Sequence, residues 1–402
     1  MWSTLVNLPK TTKQYLLITG NYWAFTLTDG ALRMLVVLYF HQLGYSPIAI
    51  AMLFLFYEVF GVVTNLIGGW LGARIGLNKT MHIGLLLQIF ALLMLTVPES
   101  YLTVIWVMAA QAVSGIAKDL NKMSAKSCIK FLVPQQQSST LFKWVALLTG
   151  SKNTLKGVGF FLGALLLTTL GFNAAIWLMI SVLVVVILFS YALLKEEIGK
   201  ASYKAKFSQL LSHDPSLNYL AASRMCLFAA RDVWFVVALP VYFAEQLEWQ
   251  SESIGAFMAL WIIVYGIVQA FSPNIVGYSR GQIPNGRMLS LWAVALVFVI
   301  LPIIYSLNSN GDPQLTLVIG LAVFGVVFAV NSSLHSFVII AMARVDGVSM
   351  DVGFYYMANA FGRLLGTVLS GWIFQQYNIQ ACLAFSAVLA LLSGAFINKV
   401  KI

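Results

Sequence analysis

Long apolar stretches recur along the whole chain, near residues 15–40, 47–71, 79–97, 101–121, 140–169, 173–194, 216–243, 251–273, 287–306, 315–342, 352–376 and 379–398. A helix needs about 20 apolar residues to cross the hydrocarbon core of a bilayer, and these stretches are of that order. The pattern predicts an all-α membrane protein with twelve transmembrane helices. The alternating strands of a porin-type barrel do not produce unbroken apolar runs of this length, so that class is excluded.

The polar connections between the runs alternate in character. One set is basic: Lys10 and Lys13, Arg74 and Lys79, Lys126 and Lys130, the stretch KEEIGKASYKAK, Arg280 and Arg287, Arg344, then Lys399 and Lys401. The other set has no Lys or Arg and holds Glu99, Glu245, Glu248, Glu252 and Asp312. Basic loops stay in the cytoplasm, so both termini are expected there. Much of the formal net charge of +10 is therefore topology and does not call for nucleic acid.

Composition agrees. Charged residues make up 9% of the 402 residues and hydrophobic ones 60%, against about 25% charged in a soluble domain. Little chain remains for a separate soluble catalytic domain. Cys128, Cys226 and Cys382 are scattered singly, with no spacing that suggests zinc or a disulfide framework. The four histidines, His41, His82, His213 and His335, show no ligand spacing either. No nucleophile–base arrangement is visible, and no glycine-rich loop ends in GK[ST]. The chain is expected to be neither an enzyme nor directly ATP-driven, to need no cofactor or metal, and to act as a monomer. The N-terminus MWSTLVNLPKTTKQ lacks a cleavable signal pattern.

The longest polar stretch, 195–215, divides the chain into two predicted six-helix bundles, 1–194 and 216–402, joined by a cytoplasmic linker. A repeat links them at one offset. Asp29 and Tyr39-Phe40 return 203 residues later as Asp232 and Tyr242-Phe243, and Gly159-xxx-Gly163 returns as Gly362-xxx-Gly366. The glycines let helices approach closely, and the two aspartates are expected at corresponding depths. Two six-span halves keep one orientation, which makes the repeat parallel.

This layout resembles the major facilitator superfamily over nearly the whole chain. In GGWLGARIGLNK, Gly69, Leu71, Arg74, Gly76 and Lys79 match the family's loop between spans two and three, although Ala73 stands where an Asp is usual. Gln111 before Gly115 replaces the usual Arg of span four, which weakens any reading as a simple drug–proton exchanger. The resemblance implies a central cavity lined by spans one, four, seven and ten, with two, five, eight and eleven.

An ionisable residue inside a span costs about 2.5–3.5 kcal/mol on insertion scales and marks function by default. Seven bases, Arg33, Lys118, Lys122, Lys152, Lys156, Arg231 and Arg363, face four acids, Asp29, Glu58, Asp119 and Asp232. Arg224 lies nearer the cytoplasmic end. Asp29 can pair with Arg33 one turn away, and Asp232 with its neighbour Arg231 or with span one. Such pairing cannot absorb all seven bases. Lys152 and Lys156 are one turn apart with no acid between them. At about 1.5 Å per residue, Lys152 lies roughly 20 Å into span five and Arg363 about 18 Å into span eleven. The seven bases, with Asn331 and His335 of span ten, are the candidate substrate contacts; the four acids are candidates for ion pairs or coupling. A basic path suits a phosphate-like or carboxylate solute.

The stretches NYWAFTLTDGALRMLVVLYFHQLGYSP, SGIAKDLNKMSAKS, LLTGSKNTLKGVGFFLG and ARDVWFVV are similar to those of the organoarsenical efflux permeases of bacterial arsenic-resistance operons. That resemblance implies export of 1-arseno-3-phosphoglycerate, made when a partner glyceraldehyde-3-phosphate dehydrogenase uses arsenate in place of phosphate. Pentavalent arsenic is ligated by oxygen, so no thiol cluster is needed. An organophosphate or carboxylate porter of the same superfamily is the alternative.

Overall fold

The computed structural model describes residues 9–45, 53–134, 137–194, 197–202, 212, 214–277, 284–309 and 311–401. The start of the second predicted span (47–52), Lys195, Lys204, Lys206, His213 and Arg280 lie outside them, as does the side chain of Glu252. Among the described residues there are thirteen α-helices, one short 3-10 turn and no strand.

The helices are α1 Lys10–Gln42, α2 Leu55–Ile75, α3 Leu77–Met94, α4 Val104–Leu132, α5 Ser138–Leu170, α6 Phe172–Leu193, α7 Pro215–Phe235, α8 Ala238–Glu245, α9 Ser251–Ile275, α10 Gly286–Asn308, α11 Pro313–Met342, α12 Val348–Gln376 and α13 Ile379–Ile397. They make up the twelve spans, with α7 and α8 forming the seventh. Local chemistry sets their ends. The Thr103 hydroxyl, the Asn285 amide and the Asn378 amide cap α4, α10 and α13 by accepting from backbone N–H groups, and Asp214 caps α7 ahead of Pro215. Gly76 and Gly171 end α2 and α5 with φ of 97° and 77°, a region that favours glycine.

Two boundaries depart from the hydrophobic pattern. Span seven reads as one run over 216–243 but breaks after Phe235, because Pro240 has no N–H and its ring would clash with the carbonyl of Val236. The freed N–H of Ala238 is taken by the Ser370 hydroxyl at 3.0 Å. Span four reads as ending near 121, yet α4 continues to Leu132. Lys122, Lys126 and Lys130 interrupt its apolar pattern without interrupting the helix, since lysine is a good helix former.

Among the described residues, nine of the spans are long and apolar enough to cross a membrane by length and composition alone. The other three, α2, α4 and α12, all carry ionisable side chains. Outward faces display Phe161, Leu188, Phe189 and Phe298, each more than 60% exposed. Apolar exposure on this scale suits lipid rather than water.

By contact the chain forms two compact units. One comprises Met1–Trp144, Ser151–Leu211 and Ala343–Met357, the other Val145–Gly150, Ser212–Met342 and Ala358–Ile402. The first has its core around Phe25, Leu35, Phe40, Leu92 and Ile176. The second centres on Trp234, Phe243, Phe324 and Phe328.

In the first unit, residues 197–202 strap across the turn between α2 and α3. Leu77 donates its N–H to the Ile198 carbonyl and Ala201 donates to the Ala73 carbonyl, both at 2.8 Å. Ala73 has no carboxylate with which to hold this turn, and its backbone does so instead. The strap ends at Asp346, which accepts from the N–H of Ser202 at 2.8 Å and from its hydroxyl. These bonds hold the Asp346 carboxyl below its ordinary range.

The repeated glycines bring helices into backbone contact. A Cβ at Gly159 would sit 2.7 Å from the Leu27 carbonyl oxygen and one at Gly163 against that of Ala31, both on α1. Likewise Gly362 abuts Met225 and Gly366 abuts Ala229 and Asp232, on α7. At the 203-residue offset Leu27 and Ala31 would correspond to Ala230 and Trp234, five residues beyond the positions actually met. The glycine pattern thus repeats, but α7 is displaced along α12 by roughly 7.5 Å at 1.5 Å per residue. Each measured against its own glycine-bearing partner helix, α5 for Asp29 and α12 for Asp232, the two aspartates therefore differ in register by about five residues. Backbone cannot yield as a side chain can, so Gly163→Leu is expected to cost about 3 kcal/mol, the upper end of ordinary overpacking. The melting temperature of detergent-purified protein checks this, and a wild-type value would refute it.

Candidate functional site

In the first unit the charged residues of α1, α2 and α4 converge on Tyr57. Its hydroxyl donates to the buried Asp29 carboxylate, with oxygens at 2.8 and 2.9 Å. The ammonium of Lys118 stands 3.7 Å from the centre of the Tyr57 ring. Glycines permit this approach: Gly115 packs on the Tyr57 backbone and Gly61 on the Asp119 carboxylate. Arg33 stacks against Phe54 and Tyr57 at 4.9 and 5.3 Å and reaches Glu58 Oε1 at 3.7 Å. The sequence pairing of Asp29 with Arg33 is thus replaced by two contacts across helices. A hydroxyl and a carboxylate on α2 sit closer to each than they sit to one another.

Asp119 holds two bases. It lies 3.7 Å from Lys118 Nζ and 2.5 Å from Lys122 Nζ. The carboxylate is 2% exposed and each lysine 14%. Formally the three groups carry one net positive charge.

Lys152 and Lys156 lie half-buried on α5. The Lys152 ammonium donates to the Asn153 side chain at 3.3 Å, and Lys156 lies 5.8 Å over the Phe160 ring. The Lys156 carbonyl oxygen abuts Gly30, which sets Lys156 level with Asp29. Beside Lys152, Ser151 accepts from the Trp23 indole at 2.7 Å.

The second unit repeats the motif of one acid between two bases. Asp232, wholly buried, is 2.5 Å from Arg231 and 3.4 Å from Arg363. Asp232 finds its second base on α12 in its own unit. The Arg231 guanidinium is boxed by Phe228, Phe328 and Phe235 at 4.9, 5.4 and 5.8 Å, a setting that strengthens charge–ring attraction by excluding water. This triad too has one formal net positive charge.

Arg224, which the sequence reading sets near the cytoplasmic end, is 3% exposed and anchors a polar network. It donates to the Asn359 side chain at 2.9 Å and to the Ser332 carbonyl and hydroxyl at 2.9 and 3.1 Å. Tyr265 and Gln269 of α9 join at the same hydroxyl, each at 3.1 Å. Asn331 and His335 sit one turn apart on α11, fully buried, and none of their side-chain polar atoms has a hydrogen-bond partner in the structure. Tyr57, Arg224 and Asn359 were not among the sequence candidates. Arg224 was visible as a charge in span seven, whereas Tyr57 is one of 16 tyrosines with no local signal to set it apart.

A buried carboxylate between two bases can give up its place to a soluble oxyanion, because the incoming group offers the same charge-assisted bonds. The comparisons with known proteins bear on what such an arrangement serves. The Major Facilitator Superfamily model matches residues 18–311. Among solved structures the chain is similar to the human organic anion transporter MFSD10 (TETRAN), with a TM-score of 0.75, 15% identity, and 97% of this chain and 100% of that one covered. It is similar to the fucose:proton symporter FucP of E. coli at TM-score 0.75 and 11% identity, covering 98% and 100%. A bacterial homologue of the iron transporter ferroportin gives 0.73 and 16%, covering 98% and 99%. At these identities the likeness is one of fold. No curated protein matches the chain significantly.

Proposed function

Since the chain belongs to the major facilitator superfamily, and is accordingly a multi-pass membrane transporter, we propose that it exports an organic oxyanion from the bacterial cytoplasm, namely 1-arseno-3-phosphoglycerate. The observation that carries this reading is the surplus of buried base over acid. Each unit holds a carboxylate between two cations, Lys118–Asp119–Lys122 and Arg231–Asp232–Arg363, and Lys152 and Lys156 add two more positive charges.

An anion lowers the cost of keeping such charges out of water, whereas a cationic solute raises it. Guanidinium and ammonium groups suit phosphate-type oxygens. The choice of an arsenate ester rests on the resemblance of four stretches of sequence. With both termini in the cytoplasm, the transporter would discharge the ester outward and so confer arsenate resistance.

The alternative is an organophosphate or carboxylate porter. The fold likeness to a human organic anion transporter accords with either substrate, and the basic triads do not distinguish them. Co-expression does. Arsenate tolerance of an arsenic-sensitive bacterium is expected to rise only when the chain is produced together with a glyceraldehyde-3-phosphate dehydrogenase that forms the ester. Protection by the chain alone would point to an inorganic arsenical. No protection, together with exchange of 3-phosphoglycerate for phosphate in proteoliposomes, would favour the organophosphate porter.

A further inference from the structure

Lysine recurs at every fourth position of the second half of α4, as Lys118, Lys122, Lys126 and Lys130. Side chains four apart are neighbours on a helix surface, and at about 6 Å and about 40° per step the row winds over about 18 Å of α4. Like charges at this spacing destabilise a helix, so helix formation does not account for it. The row begins at the Asp119 triad and ends in the last turn of α4. The topology expected from the alternation of basic and acidic connections puts that end on the cytoplasmic side.

The contacts along the row change in kind. Asp119 serves Lys118 and Lys122. Beyond it the row also meets a neutral phenol, Tyr356 of α12. Its ring lies 5.1 Å from Lys122 and 4.6 Å from Lys126, and its hydroxyl accepts from the Lys126 ammonium at 2.6 Å. Tyr355 packs edge-on against it at 5.1 Å. One aromatic residue thus covers two neighbouring rungs, and Lys126 is 5% exposed beneath it.

We propose that the α4 lysines form a stepwise path for phosphate-type oxyanions, leading from the cytoplasmic end of α4 to Asp119, and that Tyr356 closes it by occupying Lys122 and Lys126. The inference rests on the anion-export reading and adds to it a route and a gate. Ammonium groups on flexible stems are point charges with no fixed fork, suited to passing an oxyanion along rather than locking it. A row of similar sites binds well enough to admit the ion and weakly enough to release it. An oxyanion displaces the phenol hydroxyl from Lys126 because an ion–ion hydrogen bond is stronger than one to a neutral acceptor.

The test is 3-phosphoglycerate counterflow by the full-length protein in proteoliposomes, measured at several ionic strengths. Lys126→Gln is expected to lower the initial rate at low substrate about tenfold, the equivalent of one lost charge-assisted bond, and to flatten the dependence on ionic strength. Lys126→Arg should retain both. Tyr356→Phe, which removes the hydroxyl but keeps the ring, should raise the rate. Wild-type rates and salt dependence in Lys126→Gln would overturn the proposal. So would a loss of rate in Tyr356→Phe, the mark of a merely structural pair, and this variant decides the matter even if Lys126→Gln fails to fold. Wild-type protein that exchanges neither 3-phosphoglycerate nor inorganic phosphate would overturn the anion-export reading itself. Normal exchange with unaffected variants would overturn only the path.

Discussion

Asp232→Asn is expected to destabilise the protein by about 3–5 kcal/mol, the usual cost of removing one partner from a buried ion pair. Asp232 is fully buried and faces Arg231 at 13% exposure and Arg363 at 31%. Neutralising it leaves two cations with no neighbouring countercharge from that residue. Most of the cost falls on Arg231, because the more exposed Arg363 can recover some hydration. The double change Arg231→Leu with Asp232→Leu is expected to restore much of the loss, since replacing a whole buried pair by apolar groups is often neutral or stabilising. Thermal melting of the detergent-solubilised protein reads both. If Asp232→Asn melts with the wild type, the triad does not hold α7 to α12. Added phosphate should raise the melting temperature of the wild type, because a ligand that binds only the folded state stabilises it by mass action.

The Lys152→Gln, Lys156→Gln double variant is expected to lose transport while remaining folded. A charge-assisted hydrogen bond contributes about 1.5–3 kcal/mol, and about 1.4 kcal/mol is a factor of ten in affinity. Loss of even one such contact should therefore weaken substrate binding at least tenfold. Both lysines are half-buried on α5, and Lys156 lies level with Asp29 through the contact of its carbonyl with Gly30. Lys→Arg at each position separates charge from shape, because arginine keeps the charge but offers a planar fork. Substrate-dependent counterflow is the measurement, with membrane abundance and monodispersity as the control for folding. Wild-type exchange by the double variant would show that the pair belongs to packing.

The membrane class, the number of spans and the family were legible along the chain, because each depends on a quantity that survives without contacts. Span number follows from the length of apolar runs, which the bilayer imposes segment by segment. The hydrophobic pattern did not mark the helix ends at Thr103, Asn285, Asn378 and Pro215, which are set by capping, a local event. The surplus of buried bases was also legible, because cost in a membrane attaches to each charge by itself.

What only the tertiary structure decided is which charge answers which. Sequence neighbours suggested Asp29 with Arg33, but Tyr57 and Glu58 of α2 take those places. Arg363 reaches Asp232 from 131 residues away along the chain. A matching repeat suggested equal heights for Asp29 and Asp232, whereas α7 packs five residues out of that register on α12. Tyr356 caps the lysines of α4 from 230 residues away along the chain. The common reason is physical: a lipid-facing residue is chosen by its own transfer free energy. A buried charge is chosen by partners on other helices, and their register is set by how closely glycine-lined backbones approach.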